Sequence, residues 1–121
     1  MKSYKELEVW QRAIELVTDI YAVSRGFPPA ERYGLTPQMQ RAATSVPANI
    51  AEGWGRGSRK EYLQFLKIAR GSLMELETHI VVANALGYIS NPDVQRIEKK
   101  LESVAMMLNR LISRLNQPVT P

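Results

Sequence analysis

The fold of this chain is decided by the stretch SRKEYLQFLKIARGSLMELETHIVVANALG, residues 58–87. Apolar or small residues recur in it at alternating steps of four and three, at Tyr62, Leu66, Ala69, Leu73, Leu76, Ile80, Ala83 and Gly87. Residues three and four apart lie on one helix face, so the spacing predicts one long helix with a single apolar seam. The next segment repeats this spacing at Val94, Ile97, Leu101, Val104, Leu108, Leu111 and Leu115. Two long helices with facing seams predict a helical bundle.

The first predicted helix, about residues 4–25, carries two neighbouring apolar stripes. One stripe consists of Leu7, Trp10, Ile14, Val17 and Tyr21, and the other of Val9, Ala13, Leu16, Ile20 and Val23. Together they cover roughly 160° of the helix surface, more than one packing seam requires. This helix is therefore either central in the bundle or has a partner outside it. Because soluble monomers rarely expose a large apolar patch, the excess predicts a homo-oligomer.

Helix starts are predicted from residues that cap the first turn. These are Ser3 with Glu6, Thr36 followed by Pro37, Ser58 with Glu61, and Asn91 followed by Pro92. The resulting helices cover about residues 4–25, 36–54, 58–86 and 91–116, with a frayed tail over 117–121. Short loops between them predict one all-α domain over residues 1–121, an antiparallel four-helix bundle in up-down-up-down order.

Pro47 lies inside the apolar spacing of the second helix. It removes one backbone hydrogen bond, that of the Ala43 carbonyl, so we expect a kink near Pro47 but no break. Asn49 is expected to satisfy backbone groups that Pro47 frees. Glu52 is expected to be partly buried and paired with Arg41 or Arg56, in a structural role. The residues assigned to this structural motif are Arg41, Ser45, Pro47, Asn49, Glu52 and Gly53.

Two glycine-containing segments affect the expected packing. Gly53, Gly55 and Gly57 are expected to close the second helix. Gly71 and Ser72 in the middle of the third helix permit either close approach of a neighbouring helix or a bend.

The composition excludes several classes of function. The 121 residues include no cysteine, which excludes disulfides and thiol chemistry, and no apolar run long enough to span a membrane. A cytoplasmic location is expected. His79 is the only histidine, with Glu75 on its face, and a zinc site needs three or four ligands. We therefore expect no metal, no cofactor and no catalytic group, with His79 at the edge of the core.

The net charge of +4 is concentrated in one part of the chain. Residues 41–70 contain six basic and two acidic side chains, and the remaining residues contain ten of each. A local basic patch attracts phosphate backbones, although a solvated charged face is the alternative. Arg56, Arg59 and Lys60 are the predicted direct phosphate contacts.

Other residues of this basic segment extend the candidate site. Lys67 and Arg70 follow on the next helical turns. Aromatic residues interleave with these cations, an arrangement that binds single-stranded nucleic acid by stacking and charge. Trp54 is the predicted exposed aromatic contact, whereas Tyr62 lies on the apolar seam and is expected in the core.

The middle of the chain resembles the family of 23S rRNA-intervening sequence proteins. The resemblance rests on FP at 27–28, YGLT at 33–36, RAA at 41–43, SVPANIAEG at 45–53 and GSLMELE at 71–77. It extends from about Tyr4 to Leu115. The first members of this family are encoded by insertions in bacterial large-subunit rRNA genes.

The resemblance implies an up-down-up-down bundle that assembles as a homopentamer without catalytic activity. Such proteins are similar to the accessory variability protein of diversity-generating retroelements, a basic pentamer that engages a reverse transcriptase and nucleic acid. Two functions therefore remain open: a nucleic-acid or ribonucleoprotein accessory factor, with RNA, DNA or a reverse transcriptase as partner, and a purely structural or protein-interaction module.

Overall fold

The computed structural model describes residues 2–118, and these form four α-helices and no strand. The helices are α1 (Glu8–Ser24), α2 (Leu35–Gly55), α3 (Arg59–Ala85) and α4 (Asn91–Asn116). Single-turn 3-10 helices, Tyr4–Glu6 and Pro29–Glu31, precede α1 and α2. The prediction of an all-α bundle is thus confirmed. No helix in the described part of the chain is long and apolar enough to cross a membrane.

Each helix packs against the next one in the chain, and α1 also packs against α4, which closes the bundle. Polar side chains also join neighbouring helices. Gln40 Nε2 in α2 donates to the buried hydroxyl of Ser24 at the end of α1, at 3.0 Å. Lys100 Nζ in α4 lies 2.7 Å from Asp19 Oδ2 in α1. The four helices therefore enclose a continuous apolar core.

The core confirms the apolar spacing of the two long helices. In α3 the buried seam residues are Leu66, Ala69, Leu73, Leu76, Ile80 and Ala83. In α4 the buried residues are Ile97, Leu101, Val104, Leu108 and Ile112. At the end of α4 the buried position is thus Ile112, whereas the spacing predicted Leu111. A straight helix drifts by about 20° per seven residues against a 3.5-residue repeat, which accounts for this change.

The two apolar stripes of α1 have different environments. Val9, Ala13, Leu16 and Ile20 of the second stripe are buried in the core. The first stripe lies at the surface beside α2, where Ile14 is 37% exposed and Tyr21 is 38% exposed. The predicted excess of apolar surface on the first helix is therefore present in the single chain.

Three of the four predicted helix starts differ from the structure. Ser3 caps the 3-10 helix and not α1, which begins at Glu8. The Glu6 carboxylate accepts from the Lys2 backbone N–H at 2.8 Å, so it does not complete a capping box with Ser3. α4 is capped by Ser90 and not by Asn91, whose side chain instead accepts a hydrogen bond from Asn84. The prediction of Ser58 as the cap of α3 is confirmed.

The start of α2 is capped by Glu31 and not by Thr36, which was the predicted cap. Glu31 Oε1 accepts from the Leu35 backbone N–H at 3.1 Å, so the helix begins one residue earlier. Its other carboxylate oxygen accepts from the Tyr88 hydroxyl at 3.0 Å. A Cβ at Gly34 would lie 2.9 Å from Glu31 Oε1, so glycine leaves room for this carboxylate. Sequence spacing gives no sign of a cap supplied from the preceding turn.

α2 continues through Pro47 without a break, as predicted, and the kink stays a prediction. Asn49 Nδ2 donates to the Ser45 carbonyl at 2.7 Å and to Ser45 Oγ at 2.9 Å. The expectation that Asn49 satisfies groups freed by Pro47 is wrong, because Pro47 frees the Ala43 carbonyl. Asn49 instead reinforces the next turn of the same helix.

The closest approach of α2 to α3 is at Gly53, whose predicted role was to close the helix. A Cβ at this position would lie 2.7 Å from Phe65 Cβ and 3.2 Å from the Tyr62 carbonyl oxygen. Ser72 Oγ lies 2.8 Å from Ser45 Oγ, so a second close contact follows along the same interface. Gly71 is exposed and faces nothing within 4 Å, so the predicted role of the Gly71–Ser72 pair belongs to Ser72 alone.

The end of α4 is held in place by α3. The Gln117 carbonyl accepts a hydrogen bond from Arg59, so fraying does not begin at Gln117, contrary to the prediction for 117–121. Residues 119–121 of that predicted tail lie outside the described residues.

Candidate nucleic-acid interface

The first turns of α3 present a basic groove of about 670 Å³, here called the α3 groove. It is lined by Arg59, Lys60, Leu63, Gln64 and Lys67. Lys60 and Lys67 are exposed, and neither makes an ion pair within the described part of the chain. They are seven residues apart, which places them on one helix face about 10 Å from each other. Both side chains are open to solvent, and their contact with phosphate stays a prediction.

Arg59 has a structural role that the sequence did not predict. Its guanidinium donates to the backbone carbonyls of Leu115 and Gln117, at the end of α4. The Leu115 carbonyl belongs to the last turn of α4, where carbonyls lack intrahelical partners and carry partial negative charge, and Gln117 is the residue that follows the helix. The side chain predicted to contact phosphate thus also joins the start of α3 to the end of α4.

Arg56 already forms an ion pair within the chain. Its Nη2 lies 2.7 Å from Glu52 Oε1, and its guanidinium lies 4.9 Å from the centre of the Phe65 ring. The predicted pairing of Glu52 with Arg56 is therefore confirmed, but the predicted burial of Glu52 is wrong because its side chain is 52% exposed. Arg56 is consequently a weaker candidate for phosphate than the two lysines.

The aromatic residues of this region are packed and do not form a stacking surface. Trp54 is half-buried and contacts Tyr4 edge-on, with ring centres 6.2 Å apart, which contradicts its predicted exposure. Phe65 lies between Gly53 and Arg56. Tyr62 packs against the core as predicted, and burial raises the pKa of its hydroxyl. Stacking of single-stranded bases therefore lacks an exposed ring here.

The structure adds residues of α4 that the sequence interpretation missed. Arg70 Nη1 donates to Asn109 Oδ1 at 3.2 Å, which places the end of α4 beside the basic turns of α3. Arg110 and Arg114, four residues apart, are both exposed on this part of α4. The sequence interpretation counted them within an electrically neutral remainder, and only the fold brings their segment of α4 beside Arg70 of α3. Their spacing of four was the available signal.

A second polar groove, of about 570 Å³, lies where α2 faces α3. Arg41 and Glu75 both line it but are not within ion-pair distance in residues 2–118. Arg41 is also not within ion-pair distance of Glu52 among the described residues, so of the two partners predicted for Glu52, Arg41 or Arg56, only Arg56 is confirmed. Ser45 lines the same groove and accepts a hydrogen bond from Asn49. This part of α2 therefore contains structural hydrogen bonds together with Arg41, which makes no ion pair within residues 2–118.

Metal and catalytic arrangements were also considered. The described residues contain no group of three or more His, Cys, Asp or Glu side chains able to hold a metal ion. His79 is half-buried at the edge of the core, and its Nε2 atom is buried without a hydrogen-bond partner among residues 2–118.

The fold and this surface define a class of protein, an all-α four-helix bundle with a basic end. Comparison with family models matches residues 5–110 to the 23S rRNA-intervening sequence protein. The chain belongs to this family, which confirms the resemblance seen in the sequence. A comparison with curated proteins found no matching sequence.

A solved structure has the same fold. It is a protein of unknown function from the S23 ribosomal protein family of Bacteroides thetaiotaomicron VPI-5482. The two chains superpose with a TM-score of 0.79 at 22% identity, covering 86% of this chain and 97% of the other. At this identity the similarity establishes the fold alone.

Proposed function

We propose that this protein is a non-enzymatic accessory factor that binds nucleic acid or a ribonucleoprotein through the basic end of the bundle. The observation that carries the proposal is the α3 groove, where Lys60 and Lys67 are exposed and lack carboxylate partners among the described residues. Unpaired cations in a row release counterions when they bind a phosphate backbone, which supplies affinity without reading base sequence.

We also propose that the protein acts as a cytoplasmic homo-oligomer, a pentamer by family resemblance, built from up-down-up-down bundles. The support is an apolar groove of about 330 Å³, here called the α1–α2 groove. It is lined by Tyr4, Trp10, Ile14, Val17, Thr44, Pro47, Ala48 and Ala51. Assembly repeats the basic groove once per subunit and so strengthens the attraction for a polyanion.

The same apolar groove favours the second candidate function, a structural or protein-interaction module with no nucleic-acid role. A partner such as a reverse transcriptase fits either function by family resemblance. The two candidates differ in what the α3 groove does. In the second, Lys60 and Lys67 only keep the assembly in solution.

The test is RNA binding by a Lys60→Ala/Lys67→Ala variant, measured by fluorescence anisotropy across a salt series. Both side chains are exposed, so the fold and the assembly mass should not change. Loss of two phosphate contacts should lower the salt slope of log K by about 1.8. Arg59 is left intact because its removal would free the end of α4. RNA binding equal to that of the unaltered protein would exclude the α3 groove as the site.

A further inference from the structure

The α3 groove is only one half of a larger basic surface. The second half is a groove of about 470 Å³ on α4, here called the α4 groove. It is lined by Met106, Asn109, Arg110, Ser113, Arg114 and Gln117. Two contacts join the halves directly: Arg59 donates to the Gln117 carbonyl, and Arg70 donates to Asn109. The two grooves therefore lie on either side of one helix–helix seam.

The charge on this seam is larger than the charge of the whole chain. Residues 59–70 and 106–117 together contain six basic side chains and a single acidic one, Glu61. The two segments thus carry +5, compared with +4 for all 121 residues. Arg110 and Arg114 are exposed, and no carboxylate in residues 2–118 pairs with either. Arg110 Nη2 donates to the sulfur of Met106 at 3.4 Å.

The polar side chains of the α4 groove suit phosphate. Asn109 and Ser113 each precede one of the arginines and add neutral hydrogen-bonding groups to the groove, and such groups commonly contact phosphate oxygens. The two grooves also lack an exposed aromatic lining residue, so neither offers a platform for unstacked bases. The two grooves are therefore suited to bind a regular phosphate backbone and not unstacked bases.

We propose that the α3 groove and the α4 groove form one phosphate-binding surface and that its ligand is double-stranded nucleic acid. This inference rests on the proposed function and identifies the form of nucleic acid bound. A duplex presents two phosphate strands and about one negative charge per 1.7 Å of its axis. Lys60 and Lys67 contact phosphates on one side of the seam, and Arg110 and Arg114 contact phosphates on the other. A flexible single strand binds less tightly, because neither groove has an exposed aromatic ring on which its bases could stack.

The experiment measures binding of a short labelled RNA duplex and of an oligouridylate of the same length, by fluorescence anisotropy across a salt series. Arg110→Ala/Arg114→Ala should weaken duplex binding at least tenfold and lower the salt slope by about 1.8. The matched control is Arg25→Ala/Lys99→Ala, which removes the same charge from two exposed sites away from the seam. Its salt slope should equal that of the unaltered protein. Arg110→Gln/Arg114→Gln checks that lost charge, and not altered helix content, causes the effect.

The outcomes separate this inference from the proposed function. Duplex binding that falls with Lys60→Ala/Lys67→Ala but not with Arg110→Ala/Arg114→Ala would overturn the role of α4 and leave the proposed function standing. Equal affinity for duplex and single strand would overturn the assignment to double-stranded nucleic acid. Absence of binding to either probe by the unaltered protein would overturn both.

Discussion

α2 packs against its two neighbours in very different ways. On the α3 side, Gly53 lies under Phe65 and Ser45 meets Ser72 at 2.8 Å, so the two backbones approach closely. On the α1 side, Pro47 and Ala48 line the open α1–α2 groove of about 330 Å³. Both faces of α2 contain small residues, Gly53 and Ser45 on one and Ala48 on the other. The difference shows that small side chains give close packing only where the facing helix also comes near.

This difference separates internal stability from assembly. The α2–α3 interface is closed within one chain and should determine the free energy of unfolding. The α1–α2 groove exposes apolar surface that a single chain does not bury, with Ile14 37% exposed. Substitutions on the two sides of α2 should therefore change different measurements.

The largest effect on unfolding is expected from Gly53→Ala. The new Cβ would lie 2.7 Å from Phe65 Cβ, closer than real carbon contacts, so α2 and α3 must separate. Overpacking of this kind costs about 1–3 kcal/mol. Urea unfolding followed by circular dichroism should show a lower midpoint with an unchanged slope.

Gly71→Ala is the matched control for this substitution. Gly71 lies inside α3 and faces nothing within 4 Å, so its Cβ meets no neighbour. Alanine should stabilise the helix by about 0.5–1 kcal/mol relative to glycine. A Gly53→Ala protein that is as stable as Gly71→Ala would show that the α2–α3 interface yields without cost.

On the other side of α2, Ile14→Glu should break the assembly with little effect on the single chain. A carboxylate in the α1–α2 groove would remain solvated in a monomer but would be desolvated under a second copy. Light scattering should give a mass near 13.7 kDa for the variant and a multiple of it for the unaltered protein. Gln95→Glu, at an exposed position of α4 that does not line the groove, adds the same charge and should keep the multiple. A single-chain mass for the unaltered protein would contradict the proposed oligomer.

Most of the helical arrangement follows from apolar spacing, whereas the contacts between helix ends do not. The 3–4 periodicity identified the buried positions of α3 because a helix seam depends only on local geometry. Thr36 and Asn91 were wrong as caps because each helix already begins before the predicted cap could act: Glu31 accepts from the Leu35 N–H, and Ser90 accepts from the Asp93 N–H. Gly53 was interpreted as a helix terminator since nothing in a single sequence shows that Phe65 lies above it.

Only part of the candidate site was predicted, because local spacing does not show contacts between residues that are distant in the sequence. Lys60 and Lys67 are adjacent on one helix face, so their common groove follows from spacing alone. Arg59 contacts Leu115 and Trp54 contacts Tyr4, and both partners are far away in the sequence. Arg59 and Trp54 are therefore less available to a nucleic acid than the sequence predicted. Such long-range pairings cannot be read from local patterns.

The smallest expected effect comes from Tyr62→Phe, at the closed α2–α3 interface. The Tyr62 hydroxyl is buried without a hydrogen-bond partner among residues 2–118, and its ring packs against the core. Phenylalanine keeps the ring and removes the unpaired group, so the variant should be more stable by up to about 1 kcal/mol at neutral pH.

The pH dependence of the free energy of unfolding, compared between the unaltered protein and Tyr62→Phe, tests the burial of the Tyr62 hydroxyl. Burial raises the pKa of Tyr62 above its ordinary value of 10.0, so above pH 10 the unfolded chain loses a proton that the folded chain retains. Stability of the unaltered protein must then fall as pH rises through the raised pKa, and phenylalanine removes that component. The stability difference between Tyr62→Phe and the unaltered protein should therefore widen above pH 10 in denaturant titrations. A difference that stays constant across this range would mean that the Tyr62 hydroxyl reaches solvent and that the α2–α3 interface is looser than its contacts at Gly53 indicate.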